Sequence, residues 1–242
     1  MNDLQDMMKA IDALGLRIEQ LSAQLRSVGQ DIPREIDSYH YLQDQLNPIA
    51  RIRPAGAWAA PYETIARLVE IVLKQNRELI IVELGGGIST LWIGYALRKI
   101  GQGKIYSIEH DRDFFQLTSK QLREHDLENW VELVYSPINE QTINDTDHRW
   151  YSIDRPLFVN SEIDILIVDG PPGKTADSAR WPAFPFFSPH LKDGAFVLLD
   201  DVDRKDEWNI GKRWTNEYNE SGKLNLAERL GRSSLYKFNI KT

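Results

Sequence analysis

Five short apolar runs do more than any other feature to limit the folds open to this chain. They fall at Leu79–Leu84, Lys104–Ile108, Val131–Val134, Asp164–Val168 and Ala195–Leu199, separated mostly by helical patterns. A strand with one wet face alternates apolar and polar residues. These runs are near-continuous, as expected of strands covered on both faces of a parallel sheet. Strand, helix and strand repeated in this way predict a doubly wound α/β domain. The tail breaks the pattern: KLNLAERL and SLYKFNI are strand-like stretches with only Gly231, Arg232 and Ser233 between them. No helical crossover fits in three residues, so the two must pair as a hairpin and add an antiparallel strand to the sheet. Just ahead of the first run, Tyr62–Gln75 reads as a helix with Ile65, Leu68, Val69 and Val72 on one side.

A chain of 242 residues, 42% hydrophobic and 27% charged, has room for one large core and an appendage. Its net charge of −7 and the lack of a Lys/Arg stripe argue against nucleic acid as the partner. There are no cysteines, which excludes a disulfide framework, a thiolate metal site and a cysteine nucleophile. The start, MNDLQDMMKAIDALG, has acidic residues where a signal peptide has basic ones. No stretch of about 18 apolar residues suggests a membrane span, and the expected location is the cytoplasm.

The first 28 residues place Leu4, Met7, Ile11, Leu14, Ile18, Leu21, Leu25 and Val28 at alternating steps of three and four. That is a heptad seam. A helix of this length spans roughly 40 Å and cannot bury its stripe alone. Two readings follow: residues 1–30 form an oligomerisation coiled coil, making a homo-oligomer through residues 4–28, or an amphipathic helix folds back on its own domain. Residues 31–61 read as a connector with short helical pieces, and residues 62–242 as the main domain.

The first buried strand runs into three consecutive glycines, in IIVELGGGIST. Ligands of open α/β sheets bind beyond the carboxyl ends of strands, where the strand order reverses. Gly85, Gly86 and Gly87 lie there, just before a helix expected to start near Ser89, whose free amides favour acceptor groups. The next strand, KIYSIEHD, ends in Glu109, which can accept hydrogen bonds from two ribose hydroxyls; Asp111 is better placed to cap the following helix. A phosphate-binding loop would need Lys and Ser/Thr after the glycines, and a dinucleotide fingerprint a glycine or alanine where Thr90 stands. Glu83 before the glycines and Glu109 after them suit a ligand with an ammonium at one end and a ribose at the other.

VELGGGIST with SIEHD resembles motif I and the following acidic motif of class I S-adenosylmethionine-dependent methyltransferases. DILIVDGPPG, ARWPAFPF and GAFVLLDDVDR resemble a bacterial subgroup of them, and the likeness covers residues 54–240. The resemblance implies a Rossmann-like seven-stranded sheet ending in an antiparallel hairpin. It also implies contact with S-adenosylmethionine from Glu83, Gly85, Gly86, Gly87, Ser89, Glu109 and Asp169, with His110 near the adenine or ribose. Gly86 departs from relatives that carry Ser or another small residue there, a departure expected to be tolerated.

The fourth and fifth runs end in Asp169 and in Asp200 with Asp201, so three carboxylates should share one sheet edge. Like charges so close need a positive partner. Either Mg2+ or another divalent cation binds Asp169, Asp200 and Asp201, or Lys174, Arg180 and Arg204 neutralise them. The placement is similar to that of metal-dependent catechol-type O-methyltransferases, which implies Asp169, Lys174 and Asp200 as catalytic residues, with Lys174 as base. Ser136–Glu162 reads as a long loop. Its Trp150 and Tyr151 either wall the acceptor pocket or are packing aromatics, Trp58 can fold over that pocket, and Arg180 and Arg204 can face the acceptor. His148 and His190 read as surface or helix-end residues. The expectation is an O-methyltransferase acting on a small-molecule or sugar-containing acceptor. The alternatives are a metal-independent O- or N-methyltransferase and a non-catalytic cofactor-binding module recruited through the coiled coil.

Overall fold

The computed structural model describes residues 2–52, 59–153, 162–217 and 222–240. Trp58 lies outside them. A seven-stranded sheet forms the centre, built from β1 (Ile80–Leu84), β2 (Lys104–Glu109), β3 (Val131–Tyr135), β6 (Ile163–Val168), β7 (Leu191–Leu199), β8 (Gly222–Leu230) and β9 (Ser233–Ile240). Its order is β3-β2-β1-β6-β7-β9-β8. The first five of these strands pair in parallel, and β9 runs antiparallel to both β7 and β8. Four of the five near-continuous runs are strands largely buried on both faces, whereas edge strand β3 has Glu132 exposed and Leu133 and Val134 half-buried; the closing hairpin has a two-residue turn, Gly231 and Arg232.

On one face α1 (Asn2–Leu46), α2 (Tyr62–Leu73) and α3 (Ile88–Ile100) build a core around Leu42, Val69, Trp92 and Ile165. On the other, α5 (Ala183–Phe187) and α6 (Lys205–Glu217) enclose Phe184, Phe187, Trp214 and Val197. Helix α4 (Arg112–Glu124) follows β2, and the Asp111 carboxylate accepts from the amides of Asp113 and Phe114, the capping role expected of it. Among the described residues no helix is long and apolar enough to cross a membrane.

Two segments differ from the sequence expectation. Helix α1 does not end near residue 30; it continues through Gly29 and Pro33 to Leu46. Local propensity favours a break at that pair, but Leu42 is fully buried and Leu46 nearly so against the first core, and tertiary packing outweighs the local preference. Second, Ser136–Glu162 is not one loop. Ile138–Ile143 (β4) and Thr146–Tyr151 (β5) pair as a hairpin. Its two-residue turn, Asn144-Asp145, has φ of 50° and 59°, the backbone of a type I′ turn, which Asn and Asp tolerate.

The heptad positions whose side chains are described, Leu14 and Ile18, are each 62% exposed.

Candidate active site

The parallel ladder continues one residue past each strand and so aligns a row of loop residues on one edge. Gly85 N–H donates to Ile108 O, Ser136 N–H to Glu109 O, Asp169 N–H to Leu84 O and Asp200 N–H to Val168 O, all at 2.8–3.0 Å. Strand order reverses between β1 and β6, so the glycine turn and Asp169 face each other across the switch point.

At the turn, Gly85 has φ +89°, and a Cβ there would lie 3.1 Å from Gly170 N and 3.2 Å from Asp169 C. A Cβ on Gly86 would lie 2.5 Å from Ser107 Oγ, whereas one on Gly87 meets nothing within 4 Å. A side chain at 86 would thus have to displace the Ser107 hydroxyl, which gives a reason for glycine at this position. The Glu83 carboxylate sits fully buried beneath the turn, accepting from Ser89 Oγ at 2.6 Å, Ser107 Oγ at 2.9 Å and Thr90 Oγ1. Burial pushes its pKa up, and the three hydroxyls oppose the rise. The structure therefore places Glu83 and Ser89 as internal supports of the turn rather than as surfaces open to a ligand.

Glu109 ends β2 nearly buried; its Oε1 accepts from Asp111 N–H at 2.6 Å and lies 2.9 Å from His110 Nδ1. Its Oε2 has no partner among the described residues and can accept from a ribose. Ser136, at the end of β3, is 1% exposed with an unpartnered hydroxyl, and Tyr151 is 1% exposed with its own hydroxyl unpartnered. Buried polar groups are rarely left without partners. Two orphan hydroxyls beside a glycine turn and an open carboxylate oxygen fit a ribose-bearing cofactor. Ser136 escaped the sequence reading; its signal is its position, the first residue after the strand next to Glu109.

The three aspartates do converge, with one oxygen of each within 4.8 Å of the others. Arginines already fill the space among them. Arg180 donates from Nη2 to Asp201 Oδ2 at 2.9 Å and lies 3.4 Å from Asp169 Oδ1, while Nη1 donates to Asp200 O at 2.9 Å. Arg204 Nη1 is 3.0 Å from Asp201 Oδ2, and Arg232 Nε is 3.4 Å from Asp201 Oδ1. Ser233 Oγ donates to Asp200 Oδ1 at 2.6 Å. Three guanidinium groups thus offset three carboxylates, although Asp200 Oδ2 has no hydrogen-bond partner among the described residues, the Arg232 Nη2 nearest it being 3.6 Å away. Asp169, the most exposed of the three, has its pKa raised well above 3.8, first by desolvation and then by Asp200, with Arg180 opposing.

The remaining candidates fall elsewhere. Lys174 is exposed in the turn Gly173–Thr175 and forms no ion pair with Asp169 among the described residues, so the geometry does not make it the base. Trp150 is fully buried, its ring 5.1 Å from Phe186 and 6.3 Å from Phe187, a packing aromatic rather than a pocket wall. Arg180 is 3% exposed and faces the carboxylates rather than an acceptor. Half-buried His148 packs on Trp181 at 5.0 Å. A cavity of about 350 Å³ opens beside the glycine turn, between α1, the start of α2 and the β8–β9 turn. Asp31, Glu35, Ala60, Ile88 and Arg232 line it.

Comparison with known proteins agrees with this geometry. The sequence matches the family model of a methyltransferase domain over residues 82–202, half of the chain. Among solved structures, the O-methyltransferase TomG from Streptomyces achromogenes, involved in Tomaymycin synthesis and in complex with SAM, is similar over 76% of this chain and 83% of that one. The identity is 16% and the TM-score 0.53. The SAH-bound methyltransferase PaMTH1 from Podospora anserina is similar over 86% of this chain and 88% of its own, at 10% identity and a TM-score of 0.58. At these identities the likeness shows the fold. No curated protein matches the sequence.

Proposed function

Because the chain belongs to the methyltransferase-domain family, we propose that it moves the methyl group of S-adenosylmethionine to an oxygen of a small-molecule or sugar-containing acceptor, without a metal. The observation that carries this reading is the open Glu109 Oε2 on the same edge as the glycine turn and Asp169. When bound, the cofactor supplies an electrophilic methyl carbon on a sulfonium. The residues supply position and proton handling. Glu109 takes the ribose hydroxyls, and the Gly85–Gly87 turn admits the amino-acid end. Asp169 faces the reacting side: its raised pKa makes it a better proton acceptor than an ordinary carboxylate, suited to receive the proton of the acceptor hydroxyl. Holding the acceptor in line supplies much of the rate in a displacement of this kind. The 350 Å³ cavity is the acceptor's approach, since Ile88 follows the glycine turn and Arg232 reaches the aspartates.

Calorimetry tests the reading. S-adenosylhomocysteine is expected to bind the wild type, and Glu109→Ala to weaken binding about 100-fold or more, the effect of losing two hydrogen bonds to a charged acceptor. Unchanged affinity in that variant would sink the assignment. Added Mg2+ or EDTA should leave the melting temperature where it was; a rise with Mg2+ would show a cation bound to the folded state and refute the metal-free reading.

The exposed Leu14 and Ile18 favour a second copy of this chain along the heptad seam over a helix folded back on its own domain. Deleting residues 1–28 should lower the mass seen by light scattering to that of a smaller assembly, and the same number of protomers before and after would refute it.

A further inference from the structure

The β4–β5 hairpin interrupts the strand-helix alternation between β3 and β6, and its last residue reaches the switch point. Tyr151 is 1% exposed and its hydroxyl has no hydrogen-bond partner among the described residues. Its position is well defined. The backbones of Gly85 and Gly170 touch across the strand reversal, and the Tyr151 hydroxyl rests against Gly170, where a Cβ would collide with it. The His110 ring stands edge-on to it at 6.0 Å. Adjacent Trp150 anchors the strand in the core against Phe186 and Phe187.

Burial first, and then the carboxylates of Glu109, Asp169 and Glu83 against the opposing Arg180, push the pKa of this phenol well above 10, so it is a neutral hydroxyl. Arg180 is itself committed to Asp201 and the Asp200 carbonyl. Three of the four charged groups that face the phenol are carboxylates, an environment that suits a cationic group. A phenol oxygen there offers lone pairs to such a group while its proton can turn toward a carboxylate.

We propose that the Tyr151 hydroxyl is a contact of the bound cofactor, accepting a hydrogen bond from the ammonium of its amino-acid end at the Gly85–Gly170 contact. The proposal rests on the S-adenosylmethionine reading above and assigns a hairpin residue, outside the glycine and acidic motifs, to holding the cofactor.

The test is calorimetry on wild type and Tyr151→Phe with two ligands, S-adenosylhomocysteine and 5′-methylthioadenosine, which lacks the amino-acid end. Phenylalanine keeps the packed ring and removes only the oxygen. S-adenosylhomocysteine is expected to bind Tyr151→Phe about tenfold more weakly, the scale of one hydrogen bond to a charged group. 5′-Methylthioadenosine should bind both proteins equally, which also shows that the variant is folded at its ribose end. Equal loss for both ligands, or no loss for either, overturns the proposal. Tighter binding of S-adenosylhomocysteine by Tyr151→Ala also overturns it, because the ring would then be obstructing the seat. If the wild type binds neither ligand, the cofactor reading fails and this inference with it; if the wild type binds and Tyr151→Phe is unaffected, this inference fails alone.

Discussion

Replacing Arg180 with alanine is expected to cost the folded state about 3–5 kcal/mol, the usual range when one partner of a buried ion pair is removed and its counter-charge is left behind. Arg180 is 3% exposed, and the carboxylates it serves, Asp200 and Asp201, are 0% and 4% exposed. Among the described residues, its loss leaves Asp169, Asp200 and Asp201 with Arg204, which is half in water, and Arg232, whose Nη2 is 3.6 Å from Asp200 Oδ2, as the remaining cations. For a chain of this length, a melting temperature lower by about 10 °C is the corresponding signal. Two further readouts separate charge from packing. Adding Asp201→Asn to Arg180→Ala should recover part of the loss, because it removes one uncompensated anion; no recovery would mean that lost packing dominates. The pH dependence has a definite sign. Asp169 already carries a raised pKa that Arg180 opposes, so the variant raises it further. A raised carboxyl pKa gives stability that is present below the unfolded value and is lost as pH rises through the folded value. The gap between wild type and Arg180→Ala should therefore narrow toward pH 4 and be widest above neutrality. A gap independent of pH would refute the electrostatic account.

Arg232 shows why a site can be only partly legible in a sequence. Arg180 lies 11 residues from Asp169 and 21 from Asp201, and Arg204 lies 3 from Asp201, so a linear reading can pair them with DGPPG and LLDDVDR. Arg232 reaches Asp201 only because β9 pairs antiparallel with β7, bringing Ser234 opposite Leu199. That contact is a product of topology. Lys174 illustrates the converse: the resemblance to catechol-type O-methyltransferases implied a base there, yet the side chain is exposed in the turn Gly173–Thr175.

The fold divides along similar lines. The central strands were readable because burial on both faces leaves near-continuous apolar runs, as in Ile163–Val168, where all six residues are buried. The β4–β5 hairpin is mostly wet, and its weak alternation hid it. The Asn144-Asp145 pair between β-branched neighbours was the available signal. At Gly29 and Pro33 the local rule said stop, and only the burial of Leu42 and Leu46, nine and thirteen residues beyond Pro33, explains why α1 goes on.

The three glycines that first drew attention to the site should not be equivalent. Gly85→Ala is expected to be the damaging change, by about 3 kcal/mol, from two additive causes. Its φ of +89° lies where an L side chain is strained by about 1–2 kcal/mol. The new Cβ would also press at 3.1–3.2 Å on Gly170 N and Asp169 C, and overpacking of that kind costs about 1–3 kcal/mol. Those atoms are backbone at the end of β6 and cannot rotate away. Relief requires β1 and β6 to part at the switch point, which would displace Asp169 and the Gly170–Tyr151 contact together. Affinity for S-adenosylhomocysteine should therefore fall along with stability. Gly86→Ala should be milder, since the obstacle is the Ser107 hydroxyl, a side-chain atom that can turn aside at the expense of its bond to Glu83. Gly87→Ala should change stability by no more than about 0.5 kcal/mol, because φ there is −178° and the space around it is open. Urea titration of the three variants checks the order. A Gly87→Ala protein as unstable as Gly85→Ala would contradict the steric account, whereas the expected ranking would tie the glycine cluster to the crossing of β1 and β6.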